Sequence, residues 1–473
     1  MSRVIVVGGG PVGIVAALEC RRRGFEVSVV ERSTEVYDLP RAIVMDDEIQ
    51  RALALSGAPV STVTSPLGGA EFIDTDGSRI IGFELPHGTK TPLGYAPVVR
   101  YYQPELEAHL RGRAIESGVV LMLGEEVVSV EQGESGVAAT LASGRRLGGE
   151  WLIAADGAAS PIRKSLGIRF DSLGFDQDWL VVDVRLRDGR EPVLPDLVQQ
   201  ICDPARPSTF VPGHGRYRRW EFQLQPGETR DEMTSPDRVW SLLAPWLTEV
   251  DADIVRAVVY RFHATVASSM RVGRVFIAGD AAHQMPPFLG QGLCSGIRDA
   301  ANLGWKLQMV DTRRAGDRLL GTYDDERRPH ARGVVEHATD MGRLIDQLAG
   351  RGGAQSGLDS AYGGQRPFPH LEHGFVTGSH PLTGRQMPNI TLSNGRSFDD
   401  AAGDGFAVVC SGVNPRDEES FDRWRDIGAV VVNGDVSAID GVILVRPDRY
   451  VAAVATNVEE LIEQSATLLE VMA

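Results

Sequence analysis

Three glycine-containing turns, each with a carboxylate nearby, have the residue types that bind phosphate and sugar groups. The first turn has the sequence GGGPVG at positions 8–13, between the apolar run Val4–Val7 and a helical pattern. Its first glycine permits a tight turn, its second lets the backbone approach a pyrophosphate, and its third lets the helix pack closely on the strand. The start of the helix adds N–H groups and the positive end of the helix dipole. The residues of this predicted phosphate site are Gly8, Gly10, Pro11, Val12 and Gly13.

The first acidic residue, Glu31, follows the next apolar strand, Val27–Val30. A carboxylate at this place in a strand-turn-helix-strand unit accepts hydrogen bonds from ribose hydroxyls. Arg32 follows it directly and is assigned to the same site. The pattern predicts an ADP-containing dinucleotide, with a tight turn of purely structural role as the alternative. The carboxylate disfavours a 2′-phosphate, but it does not distinguish FAD from NAD.

The other two turns repeat the pattern of a buried strand that runs into a glycine and an acid. The dipeptide Asp156-Gly157 ends the apolar run Leu152–Ala155, and Gly279-Asp280 ends another such run. Ligands of open α/β folds bind at the carboxyl ends of the strands. The three turns therefore predict one site that is built from three distant segments of the chain.

The third turn continues into a second pair of glycines. Asp280 is placed to accept hydrogen bonds from a polyol, and Gly290 and Gly292 precede a helical pattern. A glycine-flanked helix N-terminus can present N–H groups to a flat ring that becomes anionic on reduction. An ordinary strand-loop-helix connection is the alternative. The residues assigned to this part of the site are Gly279, Asp280, Pro287, Gly290, Gln291, Gly292 and Leu293.

The composition argues against several other classes of protein. The chain has 473 residues and a formal net charge of −16, which disfavours nucleic acid as a partner because a phosphate-binding surface must be basic. The four cysteines are widely separated, so neither a metal site nor a disulfide framework is expected. The chain starts with an apolar strand rather than a charged leader, and no apolar run approaches the ~20 residues of a membrane span. A cytoplasmic protein is expected.

The order of the predicted elements indicates an α/β protein with an inserted sheet. The stretch RRWEFQL alternates as a strand, with Arg218, Trp220 and Phe222 on one face and Arg219 and Glu221 on the other. After about residue 345 the chain is rich in Gly and Pro, and a last α/β unit follows. The predicted domains are a discontinuous nucleotide-binding domain (1–70, 96–172 and 271–345), a substrate-binding domain (71–95 and 173–270), a linker (346–383) and a C-terminal domain (384–473).

These motifs and several longer stretches carry a resemblance to a known family. The set GGGPVG, Glu31, AADGAASPIR and AGDAAHQMPPFLGQGLCSGIRDAANLGWKL resembles the single-component FAD-dependent aromatic hydroxylases of the p-hydroxybenzoate hydroxylase type. The stretches DLPRAIVMDDEIQRAL, CDPARP, RRWEFQLQPGET and LVRPDRYVAA are similar to the 3-(3-hydroxyphenyl)propionate hydroxylase subfamily. The resemblance implies a Rossmann-like FAD-binding domain, a mainly antiparallel substrate sheet inserted into it, and a thioredoxin-like C-terminal domain.

The resemblance also implies roles for particular residues. Arg41 and Gln103 would contact the middle section of FAD, and Asp156-Gly157 match a motif shared by FAD and nicotinamide binding, with Arg163 after it. The residues implied to contact the ribityl chain or the isoalloxazine are Asp280, Pro287, Gly290, Gln291 and Gly292.

Two cysteines bear on the resemblance. Cys294 stands where many relatives have Asn, which removes a polar contact near the flavin. Cys410 ends the first strand of the C-terminal domain without a second cysteine three positions on, so no redox pair is expected there.

The reaction implied by the resemblance is the hydroxylation of a phenol. NADH or NADPH, bound transiently, would reduce FAD, and the reduced flavin would react with O2 to give a C4a-hydroperoxide that the protein shields from water. The expected substrate is 3-(3-hydroxyphenyl)propionate or a related phenolic acid, and a homodimer is one expected assembly. The alternatives are an aromatic polyketide or other secondary-metabolite hydroxylase, a flavin dehydrogenase or reductase, and a non-catalytic flavin-binding protein.

A few further side chains are candidates for the chemistry itself. His283 is the one catalytic candidate, although a lone His after the Gly-Asp motif is more often a structural hydrogen-bonding group. Arg218 and Arg219 could pair with a substrate carboxylate, with a solvated or salt-bridged strand arginine as the alternative. Trp220, Phe222 and Phe288 could line an aromatic pocket or equally pack in the core. The base that activates the phenol cannot be named from the sequence.

Overall fold

The computed structural model describes residues 2–190, 192–350, 369–412, 421–436 and 439–472. In the first half of the chain the strands are β1 (Arg3–Val7), β2 (Glu26–Glu31), β3 (Val44–Asp46), β4 (Thr64–Pro66), β5 (Gly69–Ile73), β6 (Arg79–Glu84), β7 (Val98–Tyr101), β8 (Val120–Leu123), β9 (Val127–Gly133), β10 (Gly136–Leu141), β11 (Arg146–Gly149), β12 (Trp151–Ala154), β13 (Phe170–Leu186), β14 (Val198–Ile201), β15 (Ser208–Pro212) and β16 (Tyr217–Gln223). The later strands are β17 (Ala252–Ala267), β18 (Arg271–Val272), β19 (Val275–Ile277), β20 (His283–Gln284), β21 (Ala407–Ser411), β22 (Val430–Asn433), β23 (Gly441–Val445) and β24 (Val451–Ala455).

The α-helices are numbered in the same way along the chain. They are α1 (Pro11–Arg22), α2 (Asp47–Leu55), α3 (Gln103–Glu116), α4 (Pro161–Ser165), α5 (Arg230–Met233), α6 (Pro236–Leu243), α7 (Gly292–Asp311), α8 (Arg318–Leu348), α9 (Phe398–Ala402), α10 (Asp422–Asp426) and α11 (Val458–Met472). Two single 3₁₀ turns lie at Gly279–Ala281 and Pro287–Leu289. None of the helices in the described ranges has both the length and the apolar character that a membrane span requires.

A six-stranded sheet in the order β18-β19-β12-β1-β2-β8 organises the first domain, and all its pairs are parallel except β18 with β19. Helix α1 packs on β1 and β2, while β11 and β10 of a separate three-stranded sheet contact β1 and β12, respectively. Because both faces are covered, the run Val4–Val7 is buried without alternation. The strands β1, β12 and β19 are neighbours, so the prediction that three distant turns meet at one sheet edge is confirmed.

The inserted sheet has eight strands in the order β20-β17-β13-β16-β15-β14-β5-β6. Its pairs are antiparallel except β14 with β5, and the long strands β13 and β17 pair along most of their length. One face packs on α6 through a buried apolar cluster that includes Val239 and Leu243. The opposite face is crossed by α8, which contacts both β13 and β17. This sheet therefore has one core face and one face that turns toward the first domain.

Helix α8 is longer than the predicted domain boundary allows, because it continues to Leu348 rather than ending at residue 345. Of the predicted linker 346–383, residues 351–368 lie outside the described part of the chain, as do residues 413–420 of the last domain. That last domain is built on the sheet β22-β21-β23-β24, in which β23 and β24 form the expected antiparallel hairpin around Pro447. Its core joins Trp305 of α7 to Phe406 and Trp424.

Candidate active site

The turn after β1 has the geometry of a phosphate-binding loop. Gly8 has φ +105°, and a Cβ there would lie 2.2 Å from the carbonyl oxygen of Ala155. A Cβ at Gly13 would lie 2.0 Å from the Gly8 carbonyl oxygen, so α1 packs against the turn only because this residue is glycine. At Gly10, by contrast, a Cβ would meet nothing within 4 Å. The first and third glycines thus permit the local packing, and the second faces open space where a pyrophosphate can approach.

Helix α1 begins at Pro11 without any side chain that caps its first N–H groups. Such an uncapped start can bind an anion. The side chain of Val12 has a packing role, because its Cγ atoms lie against Gly279 and Gly296. Any contact of Val12 with a cofactor is therefore limited to its backbone, and Gly296 is a further glycine that the close approach of α7 to α1 requires.

The carboxylate of Glu31 bends back over the phosphate-binding loop. It accepts hydrogen bonds from the backbone N–H groups of Gly9, at 2.6 Å, and Ser33, at 2.8 Å. Arg111 of α3 holds the same loop from the other side, with its guanidinium donating to the Gly9 carbonyl oxygen at 3.1 and 3.2 Å. Arg32 is exposed beside Glu31. Arg111 is a site residue that the sequence analysis missed, since a single arginine in a helix carries no motif.

The turn after β12 is held together by its own side chains. Asp156 Oδ2 accepts from the backbone N–H of Ile162 at 3.3 Å, and Asp156 Oδ1 is buried without a partner in the described residues. Burial raises the pKa of Asp156. The Arg163 guanidinium donates to the carbonyl oxygens of Ala158 and Ala281, both at 3.2 Å, so it ties the second turn to the third. Gly157, at φ +83°, completes the turn.

The third turn rests on a buried ionic cluster. Asp299 of α7 accepts from the Gly279 N–H at 3.0 Å and from His283 Nε2 at 2.7 Å, and Arg327 of α8 donates to its other oxygen at 2.9 Å. Burial raises the pKa of Asp299, but His283 and Arg327 outweigh it and hold that pKa below its usual value. His283 is fully buried in this cluster, which favours its interpretation as a structural hydrogen-bonding group.

Asp280, beside this cluster, lines a large cavity. Burial by the surrounding protein raises the pKa of Asp280, an effect that Arg41 and His283 oppose. A carboxylate held at the mouth of a strand turn can accept hydrogen bonds from the hydroxyls of a ribityl chain. This position is the one that the resemblance implies for Asp280.

The loop from Pro287 to Gly292 forms the next part of the cavity wall. Gly290 has φ +64°, and a Cβ there would lie 2.4 Å from Val44, so glycine is required for both reasons. Leu293 lines the cavity after the uncapped start of α7. Cys294 is buried behind the loop, and its Sγ donates to the Gly290 carbonyl oxygen at 3.6 Å. The thiol therefore supports the loop rather than facing the cavity.

Gln291 is predicted to contact the flavin, but its side chain points into the protein. Its Oε1 accepts from Arg298 at 3.0 Å, and its Nε2 donates to Asp46 at 3.1 Å. Arg298 also bonds to Glu48 at 2.8 Å, and Tyr450 of the last domain donates to Glu48 at 2.6 Å. A continuous chain of hydrogen bonds thus links the C-terminal domain to the start of α7.

Gln103 acts on a neighbouring loop. Its Oε1 accepts from the backbone N–H groups of Arg41, at 2.8 Å, and Ala42, at 2.7 Å. Both of these residues line the cavity. Gln103 is itself buried, so in this structure it positions the Arg41 loop, and Arg41 is the residue of the pair that faces the cavity.

The cavity has a volume of about 960 Å³ and lies between the first domain, the inserted sheet and α8. Its first-domain wall is formed by the loops described above. The other walls are largely apolar and include Phe262 and Met341, against which Phe288 of the Pro287 to Gly292 loop packs. Phe288 packs edge-on to Trp179 and Phe262, with ring centroids 5.4 and 6.3 Å apart. Of the residues predicted to contact the substrate, Phe288 and Arg219 line the cavity.

The face of β16 that borders the cavity is opposite to the predicted one. Trp220 and Phe222 are buried in the apolar cluster beneath α6, where both rings pack on Trp246. Arg218 donates to the backbone carbonyl oxygens of Gly215 and Tyr217 at the strand start. Of the two alternatives for Trp220 and Phe222, core packing is the one that the structure shows, because both rings are buried in the apolar cluster under α6.

The cavity face of β16 carries Arg219 and Glu221 instead. Arg219 bonds to both oxygens of Asp183, at 2.8 and 3.2 Å, and Arg256 of β17 approaches the same carboxylate at 2.7 Å. Arg219 also donates to the carbonyl oxygens of Pro40 and Arg41. Arg219 thus ties the inserted sheet to the Arg41 loop, and Arg256 helps to hold the Asp183 carboxylate. A strand with alternating charges on one face was the available signal for this buried polar patch.

These features fit an FAD-dependent oxidoreductase with a pocket for an aromatic substrate. The open space over Gly10 and the uncapped start of α1 suit a pyrophosphate, and the unpaired oxygen of Asp156 and the cavity-facing Asp280 offer acceptors to hydroxyls. Apolar side chains enclose the part of the cavity next to the loop from Pro287 to Gly292. The site thereby defines the general class of the protein.

Comparison with known proteins identifies the family. Residues 1–338 match the FAD binding domain family, and residues 380–473 match the C-terminal domain of aromatic-ring hydroxylases. The chain belongs to the FAD-dependent aromatic-ring hydroxylases, and it is a monooxygenase of that family.

Two relatives are similar over nearly their whole length. A probable NADH-specific resorcinol 4-hydroxylase from Rhodococcus jostii (strain RHA1) is 34% identical, and the alignment covers 97% of this chain and 93% of the relative. A 3-(3-hydroxy-phenyl)propionate/3-hydroxycinnamic acid hydroxylase from Klebsiella pneumoniae (strain 342) is 31% identical, with 96% and 92% covered. Among solved structures, aklavinone-11 hydroxylase with FAD and aklavinone has a TM-score of 0.82, covers 100% of this chain and 99% of its own, and is 24% identical. That likeness concerns the fold alone.

Proposed function

We propose that this protein uses NADH and O2 to hydroxylate a small phenol that carries a meta substituent. Resorcinol and 3-(3-hydroxyphenyl)propionate, which the names of the two relatives contain, are both phenols of this kind. NADH is the proposed donor because one relative is named as NADH-specific. The observation that carries the proposal is one cavity that is lined by Asp280 and Gly290 from the first domain and by Phe262 and Met341 from β17 and α8.

The residues of this chain have defined tasks in the proposed reaction. Gly8, Gly10 and Gly13 bind the pyrophosphate, Asp280 holds the ribityl chain and the loop around Gly290 faces the isoalloxazine. When bound, FAD accepts hydride from NADH and activates O2 for transfer of one oxygen atom to carbon. The apolar walls orient the phenol and exclude water, which limits the loss of reducing equivalents as hydrogen peroxide.

We propose that the C-terminal domain has a thioredoxin-like fold and a structural role. Its mixed four-stranded sheet and flanking helices are compatible with that fold. Cys410 is buried, and burial raises the pKa of its thiol, which argues against thiolate chemistry. The bond from Tyr450 to Glu48 supports a role in holding the elements around the start of α7.

The test is a substrate screen with the purified holoenzyme. NADH oxidation, hydrogen peroxide and product mass are measured with resorcinol, 3-(3-hydroxyphenyl)propionate, phenol and a polycyclic phenol. We expect the two meta-substituted phenols to accelerate NADH oxidation and to give hydroxylated products. Hydroxylation of the polycyclic phenol alone would contradict the proposal in favour of a polyketide hydroxylase, and complete turnover without O2 would indicate a dehydrogenase.

A further inference from the structure

Glu221 is a buried carboxylate that faces the substrate side of the cavity. It lies on β16, is 5% exposed and belongs to the cavity lining. Its backbone is held on both sides, by Val181 of β13 and Thr209 of β15. The position is therefore fixed by the centre of the inserted sheet, and the little surface that remains accessible lies in the cavity wall.

The Glu221 carboxylate accepts no hydrogen bond from any side chain or backbone group in the described residues. Its one ion contact is Arg219 Nη1, at 3.7 Å from Glu221 Oε1. Arg219 makes its short bonds to Asp183 and to the Pro40 and Arg41 carbonyl oxygens. A carboxylate that is buried and lacks hydrogen bonds is costly, so a ligand with a donor group is the natural partner for it.

Other charged groups near Glu221 are already paired with one another. Arg256 bonds to Asp183 and donates to the hydroxyl of Tyr260 at 3.0 Å. Asp183 thus neutralises one of the two arginines, and Glu221 balances the other. A neutral ligand with a hydroxyl group suits this balanced patch. Ionisable groups also line the same cavity from α8, at its far side, namely His337, Asp340 and Arg343.

We propose that Glu221 contacts the phenolic hydroxyl of the substrate and accepts its proton as the ring is hydroxylated. The phenolic O–H bond breaks, a new O–H bond forms on the Glu221 carboxylate, and the electron pair stays on the phenolic oxygen. That pair increases the electron density of the ring carbon that receives the oxygen atom, and Glu221 then returns its proton to water. The inference rests on the proposed phenol hydroxylation.

The environment of Glu221 suits a proton acceptor. Burial raises the pKa of Glu221, Arg219 and Arg256 oppose this effect, and Asp183 adds to it, with a net increase. A carboxylate with an elevated pKa is a stronger base when it is ionised. Activity that depends on the ionised form should fall as the pH decreases through this pKa.

The experiment compares Glu221→Gln, Glu221→Asp and a matched control, Glu71→Gln. Glu71 also lines the cavity, but it is bonded to Arg79 at 2.7 Å and to Gln199 at 2.9 Å. Flavin content is recorded for every variant, and kcat and KM for resorcinol are measured across pH. Binding of 4-nitrophenol is followed in parallel, because its phenolate absorbs at longer wavelength than its neutral form.

We expect Glu221→Gln to lower kcat by about 100-fold or more, with a much smaller change in KM, and to abolish the acidic limb of the pH profile. Glu221→Asp should recover part of kcat and keep that limb, and Glu71→Gln should keep it too. Wild-type protein should bind 4-nitrophenol as the phenolate at a pH where the free compound is neutral, and Glu221→Gln should bind the neutral form.

Two results would overturn the proposal: an unchanged acidic limb in a flavin-loaded Glu221→Gln variant, or equal ionisation of bound 4-nitrophenol in that variant and wild type. If the Glu221→Gln variant is isolated without flavin, the test rests on the kinetics of Glu221→Asp and on the ionisation of 4-nitrophenol bound to wild-type protein. The proposed function would fail on a different result, namely that wild-type enzyme hydroxylates no meta-substituted phenol. The two failures can therefore be distinguished.

Discussion

The two halves of the active cavity are built in different ways. The flavin half is built from backbone atoms, helix N-termini and glycines. The spacing of these glycines is fixed, because a Cβ at Gly13 would overlap the Gly8 carbonyl. The substrate half uses side chains from β16, β17 and α8 that meet only in the folded protein. Short-range geometry leaves a pattern in the sequence, whereas a pocket assembled from distant strands does not. The cofactor site is therefore the better determined half.

The largest expected effect comes from the flavin half. A Gly13→Val substitution puts a branched side chain where Cβ alone would be 2.0 Å from the Gly8 carbonyl oxygen. We expect the variant to be isolated without FAD and with activity reduced more than about 100-fold, since loss of the cofactor removes the chemistry. The ratio of flavin to protein absorbance measures this effect.

Gly112→Ala is the matched control for that substitution. Gly112 lies inside α3, and a Cβ there would meet nothing within 4 Å. Alanine should retain FAD and stabilise the helix by up to about 1 kcal/mol. Retention of flavin by Gly13→Val would show that the tight turn is not needed for the cofactor.

The next largest effect concerns the buried ionic contacts of Glu326. Glu326 of α8 is fully buried between Lys306 of α7 and Arg446 of the C-terminal domain, both 2.8 Å away. Glu326→Gln leaves Lys306 without its paired carboxylate and leaves Arg446 with Asp448 alone, and we expect a loss of about 3–5 kcal/mol in the free energy of unfolding. Denaturant titration checks it, and a loss below about 1 kcal/mol would contradict this role.

The shifted pKa of Glu326 also predicts that the free energy of unfolding depends on pH. Burial raises its pKa, but Arg446 and Lys306 outweigh burial and lower the pKa from 4.5 to about 2. The stabilisation is present above the ordinary pKa and is lost as the pH falls from about 4.5 toward 2. Glu326→Gln should flatten this part of the stability profile, and an unchanged slope would assign it to other carboxylates.

The smallest effects separate the core beneath the substrate sheet from the wall of the cavity. Trp220→Leu should lower the free energy of unfolding by about 2–3 kcal/mol, because the ring fills the core under α6, and leave KM for the phenol nearly unchanged. Phe288→Leu should raise KM several-fold with a smaller loss of stability, because its ring lines the cavity. Thermal unfolding and steady-state kinetics distinguish them, and the reverse pattern would restore the face predicted from the sequence.

The local backbone geometry of the flavin half could be predicted from the sequence, whereas the orientation of the substrate sheet could not, for a physical reason. The strand-turn-helix geometry around Gly8 and Asp280 is local, so residue types and spacing specify it. Alternation in β16 correctly separates Trp220 from Glu221 but does not indicate which face borders the cavity. That choice depends on α6 and α8, which pack on opposite faces of the sheet. The buried ionic contacts of His283 and Gln291 likewise depend on helices far along the chain.

The most direct test of this account follows the oxygen atom. The holoenzyme is supplied with NADH, resorcinol or 3-(3-hydroxyphenyl)propionate, and 18O2 in ordinary water, and the product is analysed by mass spectrometry. We predict a hydroxylated ring that contains one 18O atom per molecule formed. A product that takes its oxygen from water, or oxidised NADH with hydrogen peroxide and no hydroxylated ring from either phenol, would contradict it.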